Sequence, residues 1–158
     1  MRSAFVSVAV SVVLGSLVAA CGGDDTTDEV DCSMVTGTDT FVVGLDKPGV
    51  GGTLDFQLMS ADPAPPARDD NTWIVQLNTM TSGVVGAPID GATFAVTPFM
   101  PEHQHGSPIR VEITPVPGQA GQYTLSPVNM WMPGVWETTI MADSGTSTDK
   151  AVFRFCIE

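Results

Sequence analysis

Basic residues and histidine are scarce in this sequence. Six lysines and arginines stand against 18 aspartates and glutamates among 158 residues, which gives a formal net charge of −12. A chain of that charge repels phosphate backbones and anionic lipid headgroups, so nucleic-acid binding and electrostatic membrane docking are disfavoured. The only two histidines are His103 and His105. A Ser–His–Asp or Cys–His machinery would have to use one of them, and with no nucleophile-elbow motif around Ser107 we expect no enzyme.

Long helical patterns are missing too, because 16 glycines and 12 prolines interrupt the chain. From residue 40 onward, apolar residues instead recur at every second position in short runs separated by turn residues, which is typical of β-strands. The runs are Phe41–Leu45, Leu54–Leu58, Trp73–Leu77, Phe94–Val96, Val111–Ile113, Tyr123–Leu125, Val135–Met141 and Ala151–Ile157. This pattern predicts an all-β, immunoglobulin-like antiparallel sandwich of about seven to eight strands, with an open barrel as the alternative.

The N-terminus has the features of a secretory signal. Arg2 precedes an apolar stretch, Ala4–Ala20, which ends in small residues directly before Cys21. The junction resembles the lipobox of bacterial lipoproteins, so we expect a signal peptide over residues 1–20 and a lipid on Cys21. An ordinary signal peptide or an uncleaved anchor is the alternative, and all three place the domain outside the cytoplasm.

The residues after Cys21 are small and acidic and lack any apolar period, as in a disordered tether. We therefore assign residues 21–31 to a tether and residues 32–158 to one domain. The expected location is the bacterial cell envelope, with the protein held by its lipid on the periplasmic face or in the outer membrane.

Cysteine is rare, and two of the three cysteines lie at the ends of the predicted domain. With Cys21 lipidated, Cys32 and Cys156 remain. Disulfides persist outside the cytoplasm, so we expect these two to pair. The alternative is a thiolate metal ligand, for which the sequence lacks a CxxC spacing.

Two segments that are rich in proline or glycine are predicted to have no binding role. Asp62–Asp70 contains three prolines and no apolar period, which predicts an exposed loop within the domain. Gly49–Gly52 opens a strand pattern rather than a helix, so a phosphate-binding loop is disfavoured.

Soft metal ligands are concentrated in two stretches, Phe99–Gly106 and Asn129–Trp136. Residues i and i+2 of an extended chain share a side, so His103 can converge with His105, and Met130 with Met132. The alternation of the strand that enters the second stretch places both methionines on its polar side, away from the core, unless Pro127 shifts the parity.

Imidazole suits copper and zinc, whereas thioether selects copper, above all Cu(I). The set therefore predicts a copper site with Cu(I) favoured. Trp131, between the methionines, is either a shield or cation cap for that site or an ordinary rim or core residue. Glu102 is either an oxygen ligand or a solvated turn residue.

Three motifs in order, MPEHQHG (100–106), GQY (121–123) and MWMPGVWE (130–137), resemble those of YtkA-like domains, a family related to FixH. The resemblance extends from about residue 71 to residue 155. It implies a small extracytoplasmic β-sandwich, lipid- or membrane-anchored, that handles copper. The ligands it implies are Met100, His103, His105, Met130 and Met132. It also implies structural roles for Gly134 in a tight turn and for Trp136 between the sheets.

The expected function is that of an extracytoplasmic lipoprotein that binds copper at a His/Met surface site for storage, delivery or buffering. Its expected partners are the membrane, through the lipid, and a copper-receiving envelope protein. The alternative is a metal-free interaction module in which His103 and His105 form a polar turn and the methionines line a protein contact.

Overall fold

Residues 30–158 are described by the computed structural model, and ten β-strands account for most of them. The strands are β1 (Leu45–Pro48), β2 (Leu54–Asp62), β3 (Asp69–Thr81), β4 (Val84–Pro88), β5 (Thr93–Met100), β6 (His105–Gly106), β7 (Glu112–Pro115), β8 (Gln122–Met130), β9 (Gly134–Asp143) and β10 (Thr148–Ile157). A short 3-10 helix, Cys32–Met34, precedes them. In this part of the chain no helix is long and apolar enough to cross a membrane. The predicted signal peptide, the lipidated Cys21 and the tether up to residue 29 lie outside the described residues.

The strands form two antiparallel sheets packed as a sandwich, which confirms the predicted fold class. The first sheet has the order β1-β2-β3-β8-β7, with β4 paired to the far end of β3, and the second has the order β10-β9-β5-β6. The predicted strand count was too low because β4 and β6 were missed. All five residues of β4 are exposed, and β6 has two residues, so neither shows an alternation of buried and exposed positions.

Large aromatic side chains fill the space between the sheets. Trp73 of β3 is fully buried and meets the rings of Phe153 and Phe155 of β10 edge to face, at centroid distances of 6.2 and 5.7 Å. Tyr123 of β8 packs against Phe94 of β5 at 4.5 Å. Burial of rings this large supplies much of the apolar free energy that holds the sheets together.

The first strand lies later in the chain than predicted. The run Phe41–Leu45 was expected to be a strand that ends at residue 46, but β1 begins at Leu45 and pairs with β2 through Pro48. Gly44 has a φ of +79°, a value that interrupts an extended run. Because β1 is an edge strand, it tolerates the charged side chains and the proline that a central strand would exclude.

A β-bulge in β8 reverses the direction of the side chains that follow it. Ser126 and Pro127 together lie opposite Thr72 of β3, where the pairing register shifts. Leu125 before the bulge and Met130 after it therefore both point into the core, although one position is odd and the other even. The expectation that Met130 faces away from the core held only for a strand without a shift in parity at Pro127; the shift is present, and Met130 is fully buried.

The predicted disulfide between Cys32 and Cys156 is present and joins the start of the domain to its last strand. The predicted exposed loop lies between β2 and β3, where Pro63, Ala64 and Pro65 are exposed and Pro66 is buried.

The glycine-rich turn between β1 and β2 binds a carboxylate of the same chain, that of Asp149. The carboxylate of Asp149 accepts hydrogen bonds from the backbone N–H groups of Gly51 (2.7 Å), Thr53 (2.9 Å), Leu54 (3.2 Å) and Lys150 (2.8 Å). Burial alone would raise the pKa of Asp149, but these hydrogen bonds outweigh it and lower the pKa to about 2.

Candidate metal site

The two histidines are presented by the hairpin that joins β5 to β6. Met100 of β5 pairs directly with His105 of β6, and residues 101–104 form the turn between them. Gln104 reverses the chain with a φ of +55°, and its side-chain amide donates to the Pro101 carbonyl. His103 projects from the exposed turn and His105 is half-buried, so the pair lies at one end of the sandwich with access to solvent.

The imidazole rings are close enough to share one ion. Their centroids are 5.8 Å apart and their planes are inclined by 76°. With metal–nitrogen bonds of about 2.0–2.1 Å, two imidazoles on one ion have ring centres roughly 5–6.5 Å apart. The spacing therefore fits a bridging ion without a large movement of the hairpin.

Two tryptophans surround His105. The indole of Trp131 stacks on its ring at 5.3 Å and 21°, and Trp136 meets it edge-on at 6.1 Å. Nδ1 of His105 lies 3.3 Å from the Gly106 carbonyl oxygen. In the tautomer that donates from Nδ1 to this carbonyl, Nε2 keeps its lone pair and is the nitrogen available to a metal.

The sulfur donors are placed unequally. Met100 is 1% exposed and, as the partner of His105 across the hairpin, lies on the same face of the sheet. Met132 follows the end of β8, is half-buried and lies near the two histidines. Met130 lies in β8 of the opposite sheet and is fully buried. The strand alternation predicted that the two methionines of the second stretch project from one polar face. In the structure they do not.

Gly134 provides the space that Met100 occupies. It has a φ of +129°, and a Cβ atom on it would lie 2.1 Å from Cε of Met100. The indole N–H of Trp136 donates to the Met132 carbonyl (2.9 Å), which holds the turn between β8 and β9 closed. Trp136 is 1% exposed and belongs to the core between the sheets, so both residues have the structural roles that the family resemblance implied.

Trp131 lies at the rim of the site. It is 40% exposed, and its carbonyl accepts a hydrogen bond from Nε of Arg68 (3.0 Å), which ties the turn to the loop before β3. Since its ring also covers one face of His105, the residue is a rim tryptophan that shields the imidazole. Glu102 is exposed in the turn beside His103.

A polar network that the sequence did not reveal holds the hairpin in position. Ser107 Oγ donates to Oδ1 of Asn129 (3.3 Å), and Nδ2 of Asn129 donates to Oδ1 of Asp70 (2.6 Å). These residues are separated by 22 and 59 positions in the chain, so no local motif could have indicated them. The network connects the segment after β6 to β8 and β3.

The donor set determines which ion could be held. Within residues 30–158 no group of three or more His, Cys, Asp or Glu side chains is placed to bind a metal ion. The side chain near His103 and His105 that could add a soft donor is the thioether of Met132. Imidazole and thioether together suit copper, with the soft Cu(I) ion favoured.

A family model described as YtkA-like matches residues 51–141, a range that includes all five predicted ligands. No curated protein and no solved structure matches the chain.

Proposed function

The chain belongs to the YtkA-like family, and on this basis together with the site geometry we propose that it is an extracytoplasmic copper-binding protein. The family match confirms the resemblance seen in the three sequence motifs. The proposed role is to store, deliver or buffer copper without catalysing a reaction.

The observation that carries the proposal is the juxtaposition of His103 and His105 at 5.8 Å with thioethers beside them. Met100 lies directly across the hairpin from His105, and Met132 lies near both rings. Cu(I) gains most from such a set, because it is soft and accepts two to four ligands of mixed imidazole and thioether type. Met130 remains a predicted ligand, and its burial makes it the least accessible of the five.

A non-enzymatic role is supported by the surroundings of Ser107, the hydroxyl that follows the two histidines in the chain. Ser107 Oγ donates to Asn129 and accepts from the Ile109 N–H, whereas Nδ1 of His105 lies against a carbonyl. A nucleophilic serine would need its hydroxyl hydrogen-bonded to the imidazole.

The location is supported by the Cys32–Cys156 disulfide, which is typical of an extracytoplasmic compartment. The proposed lipid anchor on Cys21 is supported by the lipobox-like junction alone. Growth with a labelled fatty acid should label the wild-type protein and leave Cys21→Ala unlabelled. Absence of label from the wild type would refute the anchor and leave the copper proposal untouched.

Copper binding is tested by competition of the purified protein with a Cu(I) chelator, alongside Cu(II) and Zn(II) binding. Changing both His103 and His105 to alanine should abolish binding, and Met132→Leu should weaken Cu(I) more than Cu(II), because only the soft ion gains much from thioether. Met141→Leu is the matched control, since Met141 is an exposed methionine of β9 at the other end of the strand. Equal Cu(I) affinity in all four proteins would eliminate this site.

A metal-free interaction module is the second candidate, favoured by the 40% exposure of Trp131. Partly exposed tryptophans are frequent anchors of protein interfaces. Absence of binding of all three ions by the wild-type protein would favour this function.

A further inference from the structure

The point where the tether enters the domain lies at the same end of the sandwich as the candidate metal site. Cys32 is bonded to Cys156, which pairs with Val135 near the start of β9. The next residue of β9 is Trp136, whose ring contacts His105. Measured along the strand direction, Cys156 and His105 therefore lie about one residue apart.

The lateral separation is also small. The second sheet has the order β10-β9-β5-β6, so three strand spacings separate Cys156 from His105. At about 4.8 Å for each spacing this amounts to roughly 14 Å. The Cα atoms of the two cysteines are 5.6 Å apart, which adds little.

We propose that the end of the sandwich carrying His103 and His105 is held toward the membrane, where it exchanges copper with an integral membrane protein rather than with a soluble carrier. The proposal rests on the proposed lipid at Cys21 and on the proposed copper site. Cys21 and Cys32 are 11 residues apart, and a segment of that length spans at most about 36–40 Å in any conformation. This reach sets an upper limit on the distance between the membrane surface and the point where the chain enters the domain.

The reverse orientation is restricted by the length of the domain. β9 has ten residues, which corresponds to a strand of about 33 Å. To point the metal site away from the membrane, the linking segment would have to run past this whole length. That would use nearly its entire reach and permit few chain conformations, whereas the proposed orientation permits many.

Charge keeps this end available to a partner. Asp24, Asp25, Asp28 and Glu29 lie in the linking segment of a chain with a net charge of −12, so anionic headgroups repel it. Repulsion of the acidic linking segment by anionic headgroups therefore opposes adhesion of the domain to the membrane. The matching partner is a membrane protein that presents imidazole, thioether or thiolate donors on its extracytoplasmic surface.

The test uses the full lipidated chain in vesicles, with one fluorescent amino acid at exposed position 102 or 146, at opposite ends of the sandwich. Energy transfer to an acceptor lipid reports the height of each label. We expect the fluorescent residue at position 102 to lie closer to the bilayer than the one at position 146. The difference in height should be up to about 33 Å, the length of a ten-residue strand. Equal heights, or a lower label at 146, would overturn the orientation.

Access by a soluble macromolecule is measured with an antibody against the label. On vesicles, we expect the antibody to react more slowly at 102 than at 146, and insertion of 25 glycine and serine residues after Glu29 to remove the difference. Unlipidated Cys21→Ala protein in solution, which should show equal rates, is the control. Equal rates on vesicles would overturn the exclusion of soluble carriers. Failure of the copper proposal would appear in the chelator assay instead, and failure of the anchor in the fatty-acid labelling.

Discussion

Replacement of Asp55 by asparagine is expected to stabilise the protein at neutral pH. Asp55 of β2 lies on the face of the first sheet that is turned away from the core, and its side chain is nevertheless fully buried. Its Oδ2 accepts a hydrogen bond from Nδ2 of Asn78 (3.2 Å), but its Oδ1 is buried and has no hydrogen-bond partner among the described residues. A buried carboxylate with one oxygen unsatisfied is costly in its charged form.

The pKa of Asp55 gives the size and the pH range of this cost. Burial, aided by the negative charge of Asp46, raises the pKa from 3.8 to about 6, although the bond from Asn78 works against the shift. At 1.36 kcal/mol per unit of pKa, a carboxyl that is ionised in both states lowers the free energy of unfolding by about 3 kcal/mol. Between pH 4 and 6 the folded protein holds a proton that the unfolded chain has lost, so stability falls as the pH rises through this range.

Asparagine keeps the shape, carries no charge at any pH, and offers an N–H donor to Asp46. Urea unfolding followed by tryptophan fluorescence should show Asp55→Asn to be more stable than the wild type by up to about 3 kcal/mol at pH 7.5. The difference should shrink toward pH 4. Asp46→Asn, which removes the charged neighbour but keeps the buried carboxyl, should give a smaller gain. A difference that does not change between pH 4 and 7.5, or a less stable Asp55→Asn at pH 7.5, would refute the reasoning.

Three further changes test other parts of the fold. Asp149→Asn should lose about 2 kcal/mol in urea unfolding at pH 6; the loss should fade as the pH drops from 4 to 2, because a lowered pKa stabilises only above the unfolded value. Gly134→Ala should cost about 1–3 kcal/mol, since the new Cβ forces the end of the buried Met100 side chain to move, whereas Gly145→Ala, with a φ of +81° but open space around it, should show the smaller cost of backbone strain alone. Serine at both Cys32 and Cys156 should lower stability by up to about 4–5 kcal/mol in the chain-entropy treatment of a 124-residue separation, and an unchanged midpoint would contradict that.

The sandwich was predictable because its long strands each bury one face. In β3 and β10 buried positions alternate with less buried ones along most of the strand, and most of the buried positions hold large apolar residues, so the sequence indicates which face is inside. The same rule could not find β4, where every residue is exposed. It also placed the first strand too early, because an edge strand such as β1 takes its position from pairing with β2 rather than from its own composition.

The histidine half of the site was predictable because it is local. His103 and His105 are two positions apart in one hairpin, so a short extended segment is sufficient to bring their rings together. Their environment was not predictable in the same way. The stacking of Trp131 on His105 and the polar contacts of Ser107 join segments from both sheets, and only the packing of the sandwich brings these segments together.

The methionine half depends on the bulge in β8. A strand with regular alternation would carry Met130 and Met132 out on the side opposite Tyr123, as a surface clamp separate from the core. The additional residue at Ser126–Pro127 turns Met130 inward instead, and the end of β8 leaves Met132 in the turn next to Trp131. The same bulge therefore adds a methionine to the core and leaves Met132 as the methionine of this stretch that lies near His103 and His105. A copper ion at the rim would thus meet the sulfur of Met132 before that of Met130, which is why Met132→Leu is the substitution that tests the thioether contribution.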